Sequence, residues 1–323
     1  MAPSYLITAA SGHIGQHLVP LLLNQPSRPT LVLPTANAER LNSLLPSDID
    51  KTRLRIMPGS IQDPAFIDGI LKDHKVTSVF LCVTGSDELF TTFNLLDCLQ
   101  RSGTVKHVVY VSASFDCSLE AQKEVLKHTC SAHLAVKYLV EAKFTHGLLP
   151  RHQEGGFSWT ILGPSLFFDN DLIWKRGILE DGVHYVPHGT KGVSRVSVHD
   201  IALAAAKVLE DDGRQWGGKK VMIGSLKTYT AEEIAQLWSR ALGKEIKHAP
   251  SDRESFDAFE KHFSKLMGPA WGRDLRLSYE TFEATGPFGM TEEEHKEQIV
   301  LLGKEPESYE EFVEITARQW LRE

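Results

Sequence analysis

Short, apolar, β-rich runs alternate in this chain with helical patterns of ten or so residues. That alternation is its strongest constraint, because neighbouring parallel strands need a crossover and a helix supplies it. Residues 5–8, Tyr-Leu-Ile-Thr, precede a helical pattern over 13–23 with apolar residues at 14, 18, 19, 21, 22 and 23. Runs at 30–33, 54–57, 78–83 and 107–112 each precede another such pattern, over 38–45, 64–73, 89–101 and about 120–145. The expected fold class is α/β, a doubly wound parallel sheet of the Rossmann type covered on both faces.

After Gly147 the rhythm changes. Residues 157–162 and 220–223 read as further strands, separated by an irregular, Gly-rich and aromatic region over 164–192 and a helix over 201–209. From 228 onward helices dominate, over 231–242, 253–267, 292–302 and 309–321. The expected division is a sheet domain of residues 1–165 plus about 193–225, with strands near 195 and 221 joining the sheet. A smaller, mostly helical C-terminal cap would comprise 166–192 and 226–323.

A chain of 323 residues suits one large α/β unit or two linked lobes, since single cores stop growing beyond about 250–300 residues. The formal net charge of -7 argues against a duplex nucleic-acid binder, which neutralises phosphates with clustered Lys and Arg. The N-terminal segment lacks the basic and apolar regions of a signal peptide, and no window reaches the roughly 18 apolar residues of a membrane span. A cytoplasmic protein with neither a nucleic-acid nor a membrane partner is expected, acting as a monomer or homodimer. Cys82, Cys98, Cys117 and Cys130 form no CxxC and read as reduced thiols. HExxH, EF-hand, GxSxG and Walker patterns are absent, so no metal site, serine hydrolysis or phosphoryl transfer is expected.

The chief local motif is Thr8-Ala9-Ala10-Ser11-Gly12-His13-Ile14-Gly15, between the first strand and the first helix. Gly12 lets a diphosphate approach the backbone, Gly15 lets the helix pack close to the strand, and the helix N-terminus offers unpaired N–H groups to the anion. This octapeptide resembles the TGATGxxG fingerprint of the atypical short-chain dehydrogenase/reductases, in particular their NmrA-like branch. Further matches run in the same order: Gly59-Ser60-Ile61-Gln62-Asp63 with GDLxD, and Val109-Tyr110-Val111-Ser112-Ala113-Ser114 with the YVSS strand. Trp159 to Pro164 with Phe167 to Asn170 is similar to WTILRP-x-x-FMEN, Val198 to Ala202 to VDVxDIA, and Gly303 to Phe312 to the closing GxxPxxxEEF. The resemblance therefore spans nearly the whole chain.

The resemblance implies a nicotinamide dinucleotide held by Ala9, Ser11, Gly12, His13 and Ile14. Thr35 and Arg40 would follow the second strand, Ser60 and Ile61 the third, and Val83 and Thr84 the fourth. Ser112, Lys137 and Pro164 complete the expected cofactor set. Ala9 replaces the first fingerprint glycine, which the turn is expected to accept only at negative φ; Gly163 replaces the usual Arg. No carboxylate sits at the end of the second strand, whereas Thr35, Asn37 and Arg40 are placed to contact a phosphate, so NADP(H) is favoured over NAD(H).

In the wider superfamily a YxxxK pair and a Ser perform proton transfer. Here His133 and Lys137 keep the i, i+4 spacing, with Ser114, or alternatively Ser112, as the hydroxyl. Lys137 is expected to bind the ribose, His133 to act as general acid, and Glu141, one turn on, to pair with Lys137. Phe167, Phe168, Trp174 and Tyr185, joined by Phe288 or Trp271, would wall an aromatic substrate pocket, with His184 and His188 adding polar contacts. The function expected is an NADPH-dependent reductase of a carbonyl, quinone or activated double bond in an aromatic or polyketide-like molecule of secondary metabolism. The alternatives are a non-catalytic NAD(P)-sensing regulator and a redox-neutral isomerase or cyclase.

Overall fold

The computed structural model describes residues 2–118, 120, 121, 123, 127 and 131–323. In chain order the strands are β1 (Ser4–Ile7), β2 (Thr30–Thr35), β3 (Leu54–Pro58), β4 (Ser78–Leu81), β5 (His107–Val111) and β6 (Ser158–Pro164), then β7 (Leu166–Phe167), β8 (Val183–His184), β9 (Val193–Val196), β10 (Lys219–Ile223), β11 (Thr228–Tyr229) and β12 (Lys247–His248). Seven of them form a parallel sheet in the order β10-β6-β5-β4-β1-β2-β3. The order reverses between β1 and β4, the place where doubly wound sheets open a ligand crevice.

Helices α1 (His13–Leu23), α2 (Ala38–Leu44), α3 (Pro64–His74), α4 (Glu88–Ser102), α5 (Ala132–His146) and α6 (Val198–Asp211) accompany the sheet. Of the helix expected over 120–145, the part at 132 and beyond is α5; most of the earlier part, Cys130 included, lies outside the described residues. Along β1, Tyr5 and Ile7 join the core formed with Leu18 of α1 and Ala205 of α6, while Leu6 joins Ile67 of α3, Leu95 of α4 and Val140 of α5. Successive side chains thus enter opposite cores, which is why the strand reads as an unbroken apolar run. Gly15 sets the approach of α1, since a Cβ there would lie 2.3 Å from the Ala9 carbonyl oxygen.

The C-terminal helices are α7 (Ala231–Leu242), α8 (Arg253–Met267), α9 (Pro269–Thr285), α10 (Glu292–Leu302) and α11 (Tyr309–Trp320). Two features differ from the expected division. The strand near 195 does not join the main sheet: β10 takes the free edge of β6, so β9 instead pairs with β7 and β11 in a separate three-stranded sheet. Helix α10, expected in the cap, packs on β10 and α6, its Leu301 and Leu302 entering the core of Val221 and Ala205. Gln298 fixes it there by bonding both backbone groups of Gly224, at 2.7 and 2.8 Å.

The cap core holds Trp238, Phe259, Tyr279, Val313 and Trp320 around one buried charge pair. Arg195 donates to Asp171 at 2.7 Å, and Trp238 and Tyr309 donate to the other carboxylate oxygen. Burial alone would raise the Asp171 carboxyl, but Arg195 holds it well below the usual carboxylate range. No described helix is long and apolar enough to cross a membrane.

Buried histidines make the fold acid-sensitive. His107 is fully buried at the start of β5, its ring bonded to Ser158 at 2.7 Å and Thr160 at 3.3 Å, and burial pushes it from 6.5 down to about 4. Burial likewise lowers His188. Below pH 6.5 the unfolded chain takes up protons that the folded chain refuses, so stability falls as pH drops from 6.5 towards 4. His107 alone should account for ~3 kcal/mol of that loss. Urea unfolding across this window should show the decline, and His107→Gln should reduce its slope, leaving the contributions of His188 and His262, which burial lowers, set against His13, which is raised.

Candidate functional site

A cavity of ≈ 440 Å³ lies between the carboxyl ends of β1, β4, β5 and β6 and the cap helix α9. At one side it is floored by Ala9, Gly12, His13, Ile14 and Gly15. Ala9 has φ 52, the left-handed region, so the expectation of negative φ is corrected. The chain must reverse tightly between β1 and α1, and the Gly12 N–H closes the turn on the Ala9 carbonyl at 2.9 Å. Gly12 is extended at the start of α1, with no side-chain cap and no acidic residue in the first turn. The first-turn N–H groups, which have no partner within a helix, are thereby left for an anion. His13 adds an imidazole: the Asp169 carboxylate lies 3.7 Å from its Nδ1 and, by favouring the protonated ring, raises it above its ordinary value. This cradle of glycine, amide donors and one imidazole fits a diphosphate.

The adenosine half would extend along the same sheet edge, past β2, β3 and β4. Thr35, Arg40, Ser60, Ile61 and Val83 lie there, outside the cavity lining, as does Ser11; Thr84 reaches the lining. Thr35 is occupied by its own turn, donating to the Asn37 carbonyl and accepting from the Asn37 N–H, while the Asn37 side chain caps α2. Arg40 is exposed, and its guanidinium has no hydrogen-bond partner among the described residues. Ser60 Oγ accepts the Gln62 N–H at 3.2 Å, and Ile61 packs against the core that contains Val83.

At the other side the cavity brings together Ser112, Ser114, His133, Lys137 and Pro164. The Lys137 ammonium is buried and salt-bridged to Glu88 at 2.5 Å, with the Val111 carbonyl 3.4 Å away. Tyr110 donates to the same Glu88 oxygen at 2.9 Å; burial and the Glu88 charge push its phenol well above its ordinary value. Glu141 does not pair with Lys137: it accepts from Ser112 and from Lys220 of β10, the latter at 2.8 Å. Ser114 Oγ accepts from Ser165 at 2.9 Å, which leaves its own O–H for a ligand. His133 Nδ1 bonds Asp274 of α9.

Of the expected aromatic wall, only Phe167 and Phe288 line this cavity, joined by Leu275, Tyr279 and Phe282. Phe168 is buried in the cap core between Tyr309 and Phe312. Trp174 packs on His262 and Phe259, and with Tyr185 lines a separate depression on the cap. Consecutive residues in extended backbone face opposite ways, which separates Phe167 from Phe168. His184 and His188 are buried beside Asp171 rather than in the cavity. With Arg195 already on Asp171, a cation would meet a guanidinium there, and we assign no metal. Glu88, Ser165, Lys220 and Asp274 carried no motif; each joins the site through contacts between distant parts of the chain.

A glycine turn feeding a helix N-terminus, set at the switch point of this sheet, defines a dinucleotide-binding protein of the Rossmann class. A family profile described as NAD(P)H-binding matches residues 9–212. The chain belongs to this NAD(P)H-binding family. Solved structures with the same fold include an NADPH-dependent quinone oxidoreductase of Escherichia coli complexed with NADPH. It is 18% identical, with a TM-score of 0.74 over 97% of this chain and 99% of the other. A Citrobacter sp. triphenylmethane reductase complexed with NADP(H) is 19% identical, TM-score 0.72, over 97% and 99%. Nmra, a negative transcriptional regulator, is 14% identical, TM-score 0.68, over 99% and 100%. No curated protein matches the chain in sequence.

Two substitutions test the site's physical basis. Ala9→Gly relieves a left-handed L-residue and should stabilise the chain by about 1 kcal/mol, read as a raised urea midpoint at unchanged m. Glu88→Ala leaves a buried ammonium uncompensated and should cost ~3 kcal/mol, whereas the double change Glu88→Leu, Lys137→Met should recover most of that loss. A double-mutant cycle in urea measures both.

Proposed function

We propose that the chain is an NADPH-dependent reductase of a carbonyl, quinone or activated double bond in an aromatic, polyketide-like small molecule. The observation that carries this reading is one cavity with the dinucleotide turn at one side, the Ser114, His133 and Lys137 group at the other, and an apolar roof from the cap. The bound dihydronicotinamide would supply hydride, and the chain's part is to orient the acceptor and meet its oxygen with donors. Phe167, Phe282 and Phe288 suit a flat, weakly charged acceptor. NADPH is preferred to NADH because no carboxylate ends β2 and Arg40 is open to a 2′-phosphate. Two of the structural neighbours, one described as a quinone oxidoreductase and one as a triphenylmethane reductase, were solved with NADPH or NADP(H).

A second reading, a non-catalytic dinucleotide sensor, draws support from two features. The superfamily tyrosine is replaced by His133, and Glu88 already holds the Lys137 ammonium.

Fluorescence titration with NADPH and NADH, followed by NADPH oxidation across quinones and aromatic ketones, decides between them. NADPH should bind more tightly than NADH. Arg40→Ala should weaken NADPH about tenfold, the worth of one charge-assisted contact, and leave NADH unchanged. Binding without oxidation by any acceptor would select the sensor.

A further inference from the structure

The superfamily's tyrosine sits on the same helix as its lysine; here that position is His133, and a bare imidazole can present either nitrogen. The structure resolves the ambiguity from the cap. Asp274, on α9, lies against the N-terminus of α5, where one carboxylate oxygen accepts the Ala132 N–H at 2.5 Å and the other takes His133 Nδ1. Asp274 is mostly buried. Burial alone would raise its carboxyl, but the His133 contact and the Ala132 and His133 backbone N–H groups hold it below its usual range, so it stays an acceptor. The Trp271 ring packs 5.7 Å from the imidazole and limits its rotation. With Nδ1 committed, Nε2 is the nitrogen left for a ligand; it has no hydrogen-bond partner among the described residues, and His133 lines the cavity. Ser114, whose O–H is also uncommitted, lines the same cavity.

We propose that His133 and Asp274 form a dyad built across the seam between sheet domain and cap, in which Asp274 is the positioning residue that fixes Nδ1–H and His133 Nε2 is the proton donor to the substrate oxygen. The inference rests on the reductase reading. In the step, the carbonyl carbon gains a hydrogen with its electron pair from a bound dihydronicotinamide, whose C–H bond breaks and which is thereby oxidised to the pyridinium, while the C=O π pair moves onto oxygen. That pair takes the proton from Nε2 as the N–H bond breaks, leaving neutral His133 with Nδ1–H on Asp274. Solvent then returns a proton to Nε2. The other titratable groups lining the cavity are Lys137, paired with Glu88, Tyr138 and Tyr279, Cys82, and His13, paired with Asp169.

The test combines a spectroscopic readout with kinetics on the full chain. Long-range proton–nitrogen NMR of neutral His133 should show the Nδ1–H tautomer. Asp274→Asn, whose amide can donate to Nδ1, should shift it to Nε2–H. With the best quinone or ketone acceptor, His133→Gln and Asp274→Asn should each lower kcat about 10²-fold or more, with NADPH affinity by fluorescence unchanged. His133→Gln should also abolish the fall in kcat at alkaline pH. An unchanged tautomer in Asp274→Asn, or full kcat and an unchanged pH profile in His133→Gln, would overturn the dyad while leaving the reductase reading intact. A wild-type chain that binds NADPH yet reduces none of the acceptors would overturn that reading and the proton step with it.

Discussion

Burying an ammonium inside a protein demands a carboxylate within contact and further donors to complete that carboxylate's hydrogen bonding. The site meets this demand at the buried Lys137, and in part at the half-buried Lys220. Glu88 of α4 takes Lys137 and the Tyr110 hydroxyl; Glu141 of α5 takes Lys220 and the Ser112 hydroxyl. Tyr110 and Ser112 stand two residues apart at the end of β5, so they leave the strand on one face and reach the two helices that cover it. One strand end is thereby tied to α4, α5 and, through Lys220, to the neighbouring β10. These ties hold the side of the cavity that carries Ser112 and Lys137.

The cap uses the same physics for a different purpose. Arg195 and Asp171 are both fully buried, and the guanidinium also donates to the Phe167 carbonyl at 3.2 Å while lying over the Tyr309 ring. That contact fixes the segment leaving β7, so Phe167 faces the cavity while Phe168 turns into the cap core. The same segment brings Asp169 to His13. A charge pair remote from the dinucleotide turn therefore places both an apolar wall and the carboxylate that polarises the turn's imidazole.

The sheet was legible because strands buried on both faces read as unbroken apolar runs and their crossover helices as amphipathic ones. The turn at 8–15 was legible because Gly15 has no room for a Cβ. What failed to show depended on partners distant in sequence. Glu141, at i, i+4 from Lys137, is the natural neighbour on one helix, yet each side chain is drawn to another element by a buried charge or hydroxyl there. The strand near 195 has the composition of a sheet strand, but β10 already occupies the edge it would need. Asp274 stands 142 positions from the N–H it accepts, on helix α9, whose Pro269, Trp271 and Gly272 read as loop in the sequence and which is not among the helices expected there. The sequence likewise cannot tell Phe167 from Phe168, since only the packed cap decides which ring faces inward.

Departures from a family pattern are easily read as losses, and Gly163 shows why that reading is incomplete. A Cβ at Gly163 would lie 2.8 Å from Met222 Sδ, 2.9 Å from the Ala113 carbonyl oxygen and 3.1 Å from Lys220 Cε. The larger residue usual in the family could not share this space with Lys220, whose ammonium crosses it to bond the Phe115 carbonyl at 2.6 Å. In this chain the cation at that place comes from Lys220 on the adjacent strand. His133 follows the same logic: the residue type changes at the family position, and the group that orients it comes from elsewhere in the fold. In the first case the compensating group lies within the sheet, so the exchange affects only the floor. In the second it lies on α9, so the proposed proton donor is oriented only while the cap helix rests against α5. Chemistry that the superfamily builds into one helix would then be conditional on the seam between the chain's two parts.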